Sequence, residues 1–168
     1  MIKRNRKLPQ SSYYLRAAKY GIDALLNERP MDEGFLFYTV GILASLRAVQ
    51  HALLNHDSTL SSEHKRTIEA WKKSTPFDGP EITFIKNSRD LILKGGAFQA
   101  YATYSYGGIG EGENFQMTHD GYETAYYIDG ERRSLIEDMR AAAAWCEKEL
   151  STIEAQVPAI NLPGDVVE

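Results

Sequence analysis

The sequence predicts a mainly α-helical fold, an antiparallel bundle of about five helices with a tyrosine-rich β-hairpin inserted before the last helix. Three observations carry that expectation. Apolar residues recur at steps of three and four in several separate stretches. Proline and glycine clusters divide those stretches at sensible intervals. Between Phe98 and Ile128 the helical pattern gives way to tyrosine, threonine and glycine.

The first ten residues, M-I-K-R-N-R-K-L-P-Q, hold four basic side chains and little to bury, so residues 1–10 read as a solvated basic arm. Ser11 or Ser12 is then expected to cap a first helix, since a short hydroxyl side chain accepts from an unpaired first-turn N–H. Leu15, Ala18, Ile22 and Leu25 form its inward face, and Pro30 marks its end.

Asp32 is expected to open the second helix, which has the strongest pattern in the chain. Phe35, Tyr38, Ile42, Leu46, Val49 and Leu53 share one face, and Leu36, Val40 and Leu43 widen it into a surface that packs on two sides. Leu60-Ser61-Ser62 begins a third helix bearing Ile68 and Trp71, which stops before Pro76. The turn F-D-G-P leads into a fourth helix with Pro80 at its first position, and Gly95-Gly96 stops it.

Six of the ten tyrosines fall in the segment that follows, which reads as a hairpin of two or three strands spanning residues 98–129. Its glycines lack the strand–helix setting and the Gly-Lys-Ser of a phosphate loop. Asp129 is expected to cap a last helix over residues 130–156, with Leu135, Met139, Ala142, Cys146, Leu150 and Ile153 inward. Residues 157–168 read as a proline-punctuated tail. The chain therefore reads as one domain, with helices one to four within residues 12–96.

Composition narrows the function classes. At 43% hydrophobic and 25% charged the chain is an ordinary globular protein. A net charge of −4 argues against a chain-wide footprint for nucleic acid while leaving room for a local basic patch. Cys146 is the only cysteine, which excludes a disulfide framework and a cysteine-based zinc site. No stretch approaches membrane-spanning length by inspection, so the expectation is a soluble, cytoplasmic protein without a membrane partner.

One side chain stands out. Arg89 falls in the same sector of the fourth helix as Ile82, Ile85, Ile92 and Leu93, and a guanidinium on an inward face requires an anion or water beside it. A carboxylate there is structural, and a phosphate is functional. With F-L-F-Y-T-V-G-I-L-A-S-L-R in a long second helix, a short tryptophan-bearing helix, and S-R-D-L-I-L-K before a glycine stop, the layout resembles the HEPN superfamily. Those small helical bundles carry an Arg-x(4–6)-His motif, often written Arg-Asn-x-x-x-His. Arg89 matches the arginine, Asp90 stands at the asparagine and Lys94 at the histidine.

The resemblance implies metal-independent RNA cleavage, often by a homodimer that brings two motifs together. Such chemistry needs a base for the ribose hydroxyl and a cation for the phosphorane charge. An ordinary lysine, with a pKa of about 10.4, is neutral in fewer than about one molecule in a thousand at pH 7. Asp90, four residues before Lys94, favours its charged form further. The motif therefore reads as catalytically degenerate.

Arg47 and His51 lie one turn apart on the second helix and are candidate cleft residues. The four histidines give no helical metal pair, so neither metal nor cofactor is expected. Cys146 reads as packing. Three functions follow: a degenerate HEPN-like domain that binds RNA or a protein partner, an active endoribonuclease of toxin or phage-defence type using Arg89, or a structural subunit of a larger complex.

Overall fold

Leu8 and Pro9, not a serine, set the start of the first helix. In the computed structural model, residues 7–27, 33–76, 78–94, 101–109, 116–128 and 131–160 are described, with side chains except at 33, 36, 88–94, 101–109, 116–128 and 131. Among the described residues the protein is mainly helical, with five α-helices. Helix α1 runs Pro9–Leu25, α2 Glu33–Asn55, α3 Ser62–Ser74, α4 Pro80–Lys94 and α5 Leu135–Glu154.

Pro9 sits at the first helical position of α1, where its missing N–H is no loss. Ser11 and Ser12 lie inside the first turn and are buried, which corrects their expected capping role. The cap comes from a distant residue. The Asp57 carboxylate, in the short 3₁₀ turn Asp57–Thr59, accepts from the Gln10 N–H at 3.1 Å and the Ser11 N–H at 2.9 Å. The Ser11 hydroxyl donates to the same carboxylate. A negative charge on first-turn N–H groups satisfies them and complements the helix dipole.

The basic arm is also shorter than expected at its inner end. Leu8 is fully buried, and the Lys7 ammonium donates to the Glu154 carbonyl at 2.7 Å, tying this segment to the end of α5. Residues 1–6 lie outside the described residues. Helix α1 stops at Leu25, ahead of Pro30, which also lies outside them.

Helix α2 forms the centre of the core. Phe35, Ile42, Leu43, Leu46, Val49 and Leu53 are buried, with Tyr38 packed against them. Val40 is instead exposed, as is Phe37, so the apolar surface is narrower than the sequence suggested. Asp32 and the side chain of Leu36 lie outside the described residues. Contrary to expectation, Phe37–Thr59 is long and apolar enough, at a mean hydropathy of 1.2, to cross a membrane. The side chains that give it this character on the inward face are the same ones that build the core.

Helices α1 and α2 meet closely at Gly21, where an added Cβ would stand 2.7 Å from Ile42 Cγ1. Isoleucine is stiff at χ1 and yields poorly. Overpacking of this kind costs about 1–3 kcal/mol, against a helix-propensity gain of about 1 kcal/mol for alanine over glycine. Gly21→Ala is expected to lower stability by about 1 kcal/mol in urea unfolding. A stabilised variant would show that α1 and α2 are not held at this spacing.

Ser61 caps α3 by accepting from the His64 N–H at 3.2 Å. His64 is fully buried. Its Nε2 lies 2.9 Å from the Lys7 carbonyl, which can only accept, so Nε2 carries the proton. Nδ1 lies 2.8 Å from the Ser61 hydroxyl oxygen, within hydrogen-bond reach. The starts of α1 and α3 are thus joined through one imidazole. Ile68 and Trp71 turn inward from α3, and the Trp71 indole N–H donates to Glu149 of α5 at 2.6 Å.

Pro80 opens α4 as expected, and Ile82, Phe84 and Ile85 are buried. Strands β1 (Tyr101–Ile109), β2 (Gln116–Ile128) and β3 (Glu131–Ser134) pair antiparallel in the order β1-β2-β3. Tyr104 stands opposite Tyr122, with a register irregularity between Ser105 and Tyr106. Their tyrosine side chains, and residues 95–100, lie outside the described residues.

Because 131–134 belong to β3, the last helix starts at Leu135, and Ser134 is its N-cap, accepting from the Glu137 N–H. This corrects the start expected at 130. Asp129 lies outside the described residues. Asp138, in the first turn, pairs with Arg133 at 2.6 Å. Leu135, Met139, Ala142, Cys146, Leu150 and Ile153 are all buried. So is Val157, which therefore belongs to the core and not to a tail.

Candidate functional site: a cationic groove on α2, α3 and α4

Three helices turn their buried residues inward and by doing so push neighbouring cations onto one shared surface. On α2, burial of Leu46, Val49 and Leu53 rotates Arg47 and His51 away from the core. On α3, Trp71 is fixed by its bond to Glu149, and the next residue, Lys72, points outward about 100° further round the helix. On α4, Ile85 is buried and Lys86 follows it into solvent.

Arg47, His51, Lys72 and Lys86 line one open groove of about 300 Å³, with Gln50, Leu54 and Asn55 completing the described lining. Three of these side chains are basic, Arg47, Lys72 and Lys86, and none of the described lining residues is a carboxylate. Arg47 Nη1 donates to Gln50 Oε1 at 3.1 Å, which holds the guanidinium along the groove wall. The Asn55 side-chain amide donates to the His51 carbonyl at 2.9 Å and fixes the far end. A concave surface with converging cations raises the local concentration of anions.

Sequence reasoning singled out Arg47 and His51, which line this groove, and did not single out Lys72 and Lys86. Each of the two lysines sits one residue past a buried aromatic or aliphatic residue, which marks it as outward-facing. Nothing in the linear pattern says that the two outward faces meet. Arg89, Asp90 and Lys94 lie in the helical part of α4, the first of them three residues beyond Lys86, and their side chains lie outside the described residues.

Beneath the groove, Leu46, Leu53, Trp71, Ile85, Trp145 and Cys146 help to line a small cavity of about 20 Å³, with Gln50 bordering both spaces. That volume suits a single water and no cofactor. Among the described residues, no three His, Cys, Asp or Glu side chains converge as metal ligands. His51 and His56 stand with ring centroids 6.0 Å apart.

Cys146 borders the cavity without being reactive. Burial, with the Glu149 charge adding to it, pushes its thiol from 9.0 up to about 12. An unfolded-chain thiol ionises first, so the stability this group contributes is fully present below pH 9 and lost as pH climbs toward 12. Between those limits the unfolding free energy of the native chain should fall more steeply than that of Cys146→Ala. The difference approaches about 1.4 kcal/mol per pH unit. Parallel curves in denaturant titrations would contradict the burial of this thiol.

The groove can hold anions by charge and orient them by the Arg47 fork, and it offers hydrogen-bonding amides at Gln50 and Asn55. No family model, no curated protein and no solved structure matches this chain.

Proposed function

We propose that this chain is a HEPN-like helical domain with a degenerate catalytic motif, and that it binds single-stranded RNA without cutting it. The observation that carries the reading is the meeting of Arg47, His51, Lys72 and Lys86 from three helices in one groove. A phosphodiester backbone is the common biological ligand for such a surface, because its charge needs cations and its shape needs a trough. The net charge of −4 supports local over chain-wide contact, since the remainder of the surface repels nucleic acid.

An antiparallel arrangement of the helices, with the tyrosine-rich strands laid against α5, belongs to the same proposal. The direct passage of β3 into α5 supports it, as does the approach of β2 to that helix. So does a homodimer. Tyr13 and Tyr20 on α1 and Phe37 and Val40 on α2 are exposed apolar side chains of the kind interfaces use.

Asp90 and Lys94 replace the polar pair of the HEPN motif, which supports binding over catalysis. The test is incubation of the purified chain with labelled single-stranded RNA in the absence of metal, followed by native and denaturing gels. The expected result is a retarded complex holding intact RNA, for both the native chain and Arg89→Ala. Cleavage that disappears in Arg89→Ala would replace this reading with the endoribonuclease. Absence of any complex would remove RNA as the ligand.

A further inference from the structure

A second depression, of about 610 Å³, adjoins the groove and shares Leu54, Asn55 and Lys72 with it, so the two form one continuous track. Its lining differs from that of the groove. Beyond the shared Lys72, the charged residues are Lys65 and Glu69, one helical turn apart on the same face of α3, and they offset each other. What remains is polar and uncharged: hydroxyls at Ser58, Thr59, Ser61 and Ser62, with the Asn55 amide at the junction.

This lining both accepts and donates hydrogen bonds. Ser58 donates to the Leu54 carbonyl at 2.6 Å and Thr59 to the His56 carbonyl at 2.7 Å, so their oxygens present lone pairs. The Asn55 amide uses one N–H on the His51 carbonyl at 2.9 Å, and its second N–H and its oxygen remain for a ligand. Ser62 is exposed and holds no side-chain bond among the described residues, so its hydroxyl can turn either way. An uncharged group that is itself donor and acceptor suits such a surface better than an anion does.

In a nucleic-acid strand that group is the ribose 2′-hydroxyl. We infer that the depression is a ribose-binding subsite that selects RNA over DNA through the 2′-hydroxyl. The inference rests on the RNA-binding reading above and supplies what the groove lacks, because a phosphodiester backbone is common to both nucleic acids. Continuity of the track is its second support. Each sugar is bonded directly to its phosphates, so a strand whose phosphates lie against Arg47, Lys72 and Lys86 carries a neighbouring sugar past Asn55 into the depression.

The experiment is fluorescence anisotropy with oligouridylate and oligodeoxyuridylate of equal length, which differ only at the 2′ position. Oligouridylate is expected to bind about fivefold tighter, the equivalent of one net hydrogen bond. A 2′-O-methyl strand keeps an RNA-like sugar shape but cannot donate to Ser58 or Thr59, and should bind no better than the deoxy strand. In Ser58→Ala/Thr59→Val the ratio should fall toward one while the affinity for oligodeoxyuridylate is kept, which also reports that the variant is folded. Ser62→Ala, at an exposed position, should lower the ratio partway. Equal binding of the ribose and deoxyribose strands to the native chain overturns the subsite and leaves the cationic groove standing. So does a 2′-O-methyl strand that binds as tightly as RNA, or an undiminished ratio in the double variant. Failure of every strand to bind overturns the RNA reading itself.

Discussion

Replacing Asp57 with alanine is expected to lower the unfolding free energy by about 3 kcal/mol, the largest loss from any single polar residue among the described side chains. The carboxylate is fully buried and is the partner of the Ser11 N–H, the Ser11 hydroxyl and the Gln10 N–H. Removing it strands first-turn donors of α1 in a region closed to water, and it deletes the charge that opposes the helix dipole. A loss of this size corresponds to a Tm decrease of roughly 6–12 °C for a chain of this length. Asp57→Asn keeps one acceptor but turns an amide N–H₂ toward other donors, so its loss should lie between those of alanine and the native residue. Ser11→Ala removes one partner only and should cost about 1 kcal/mol. A change below that for Asp57→Ala in urea unfolding would show that α1 starts without this cap.

The second large effect is on binding. In Lys72→Glu/Lys86→Glu the three basic side chains of the groove become one cation and two carboxylates. The affinity for single-stranded RNA should fall on the order of a hundredfold at low salt, through two lost phosphate contacts and the repulsion that replaces them. Both lysines are exposed, so stability should change by less than about 1 kcal/mol, and the two readouts stay separate. Lys148→Glu, an exposed lysine of α5 that lines neither depression, is the matched control and should leave binding nearly unchanged. Equal loss in the control would mean that overall charge, not the groove, attracts the strand.

Why these features were legible to different degrees follows from the physics of each. The mainly helical class and the inward faces of α2 and α5 were plain, because burial repeats with the period of the helix. Phe35 to Leu53 and Leu135 to Ile153 are buried where the spacing places them. Trp71 and Cys146 were legible for the same reason. Buried polar residues were not. Asp57 and His64 look like surface residues beside a turn, and only the approach of α1 makes one a cap and the other a bridge. Asp129 was the expected cap of the last helix, and pairing of 131–134 with β2 moves the helix start on to Leu135, with Ser134 as its cap. Val40 satisfied the helical spacing but sits at the margin of the apolar sector, where no neighbouring helix covers it fully. Half of the groove was visible in Arg47 and His51, which share a helix. Lys72 and Lys86 join them only through the packing of α3 and α4, and helix adjacency is not written in the spacing along one helix.

The salt dependence of RNA affinity tests the central claim most directly, because it counts the phosphates that the cations neutralise. Affinity for a labelled single strand is measured by anisotropy across a series of monovalent salt concentrations. Arg47, Lys72 and Lys86 together predict a slope of log affinity against log salt near −2, from about −0.7 for each phosphate neutralised. In Lys72→Glu/Lys86→Glu the slope should flatten toward zero as binding is lost. A flat dependence for the native chain, or a steep one that the double variant leaves unchanged, would contradict a groove that holds the RNA backbone.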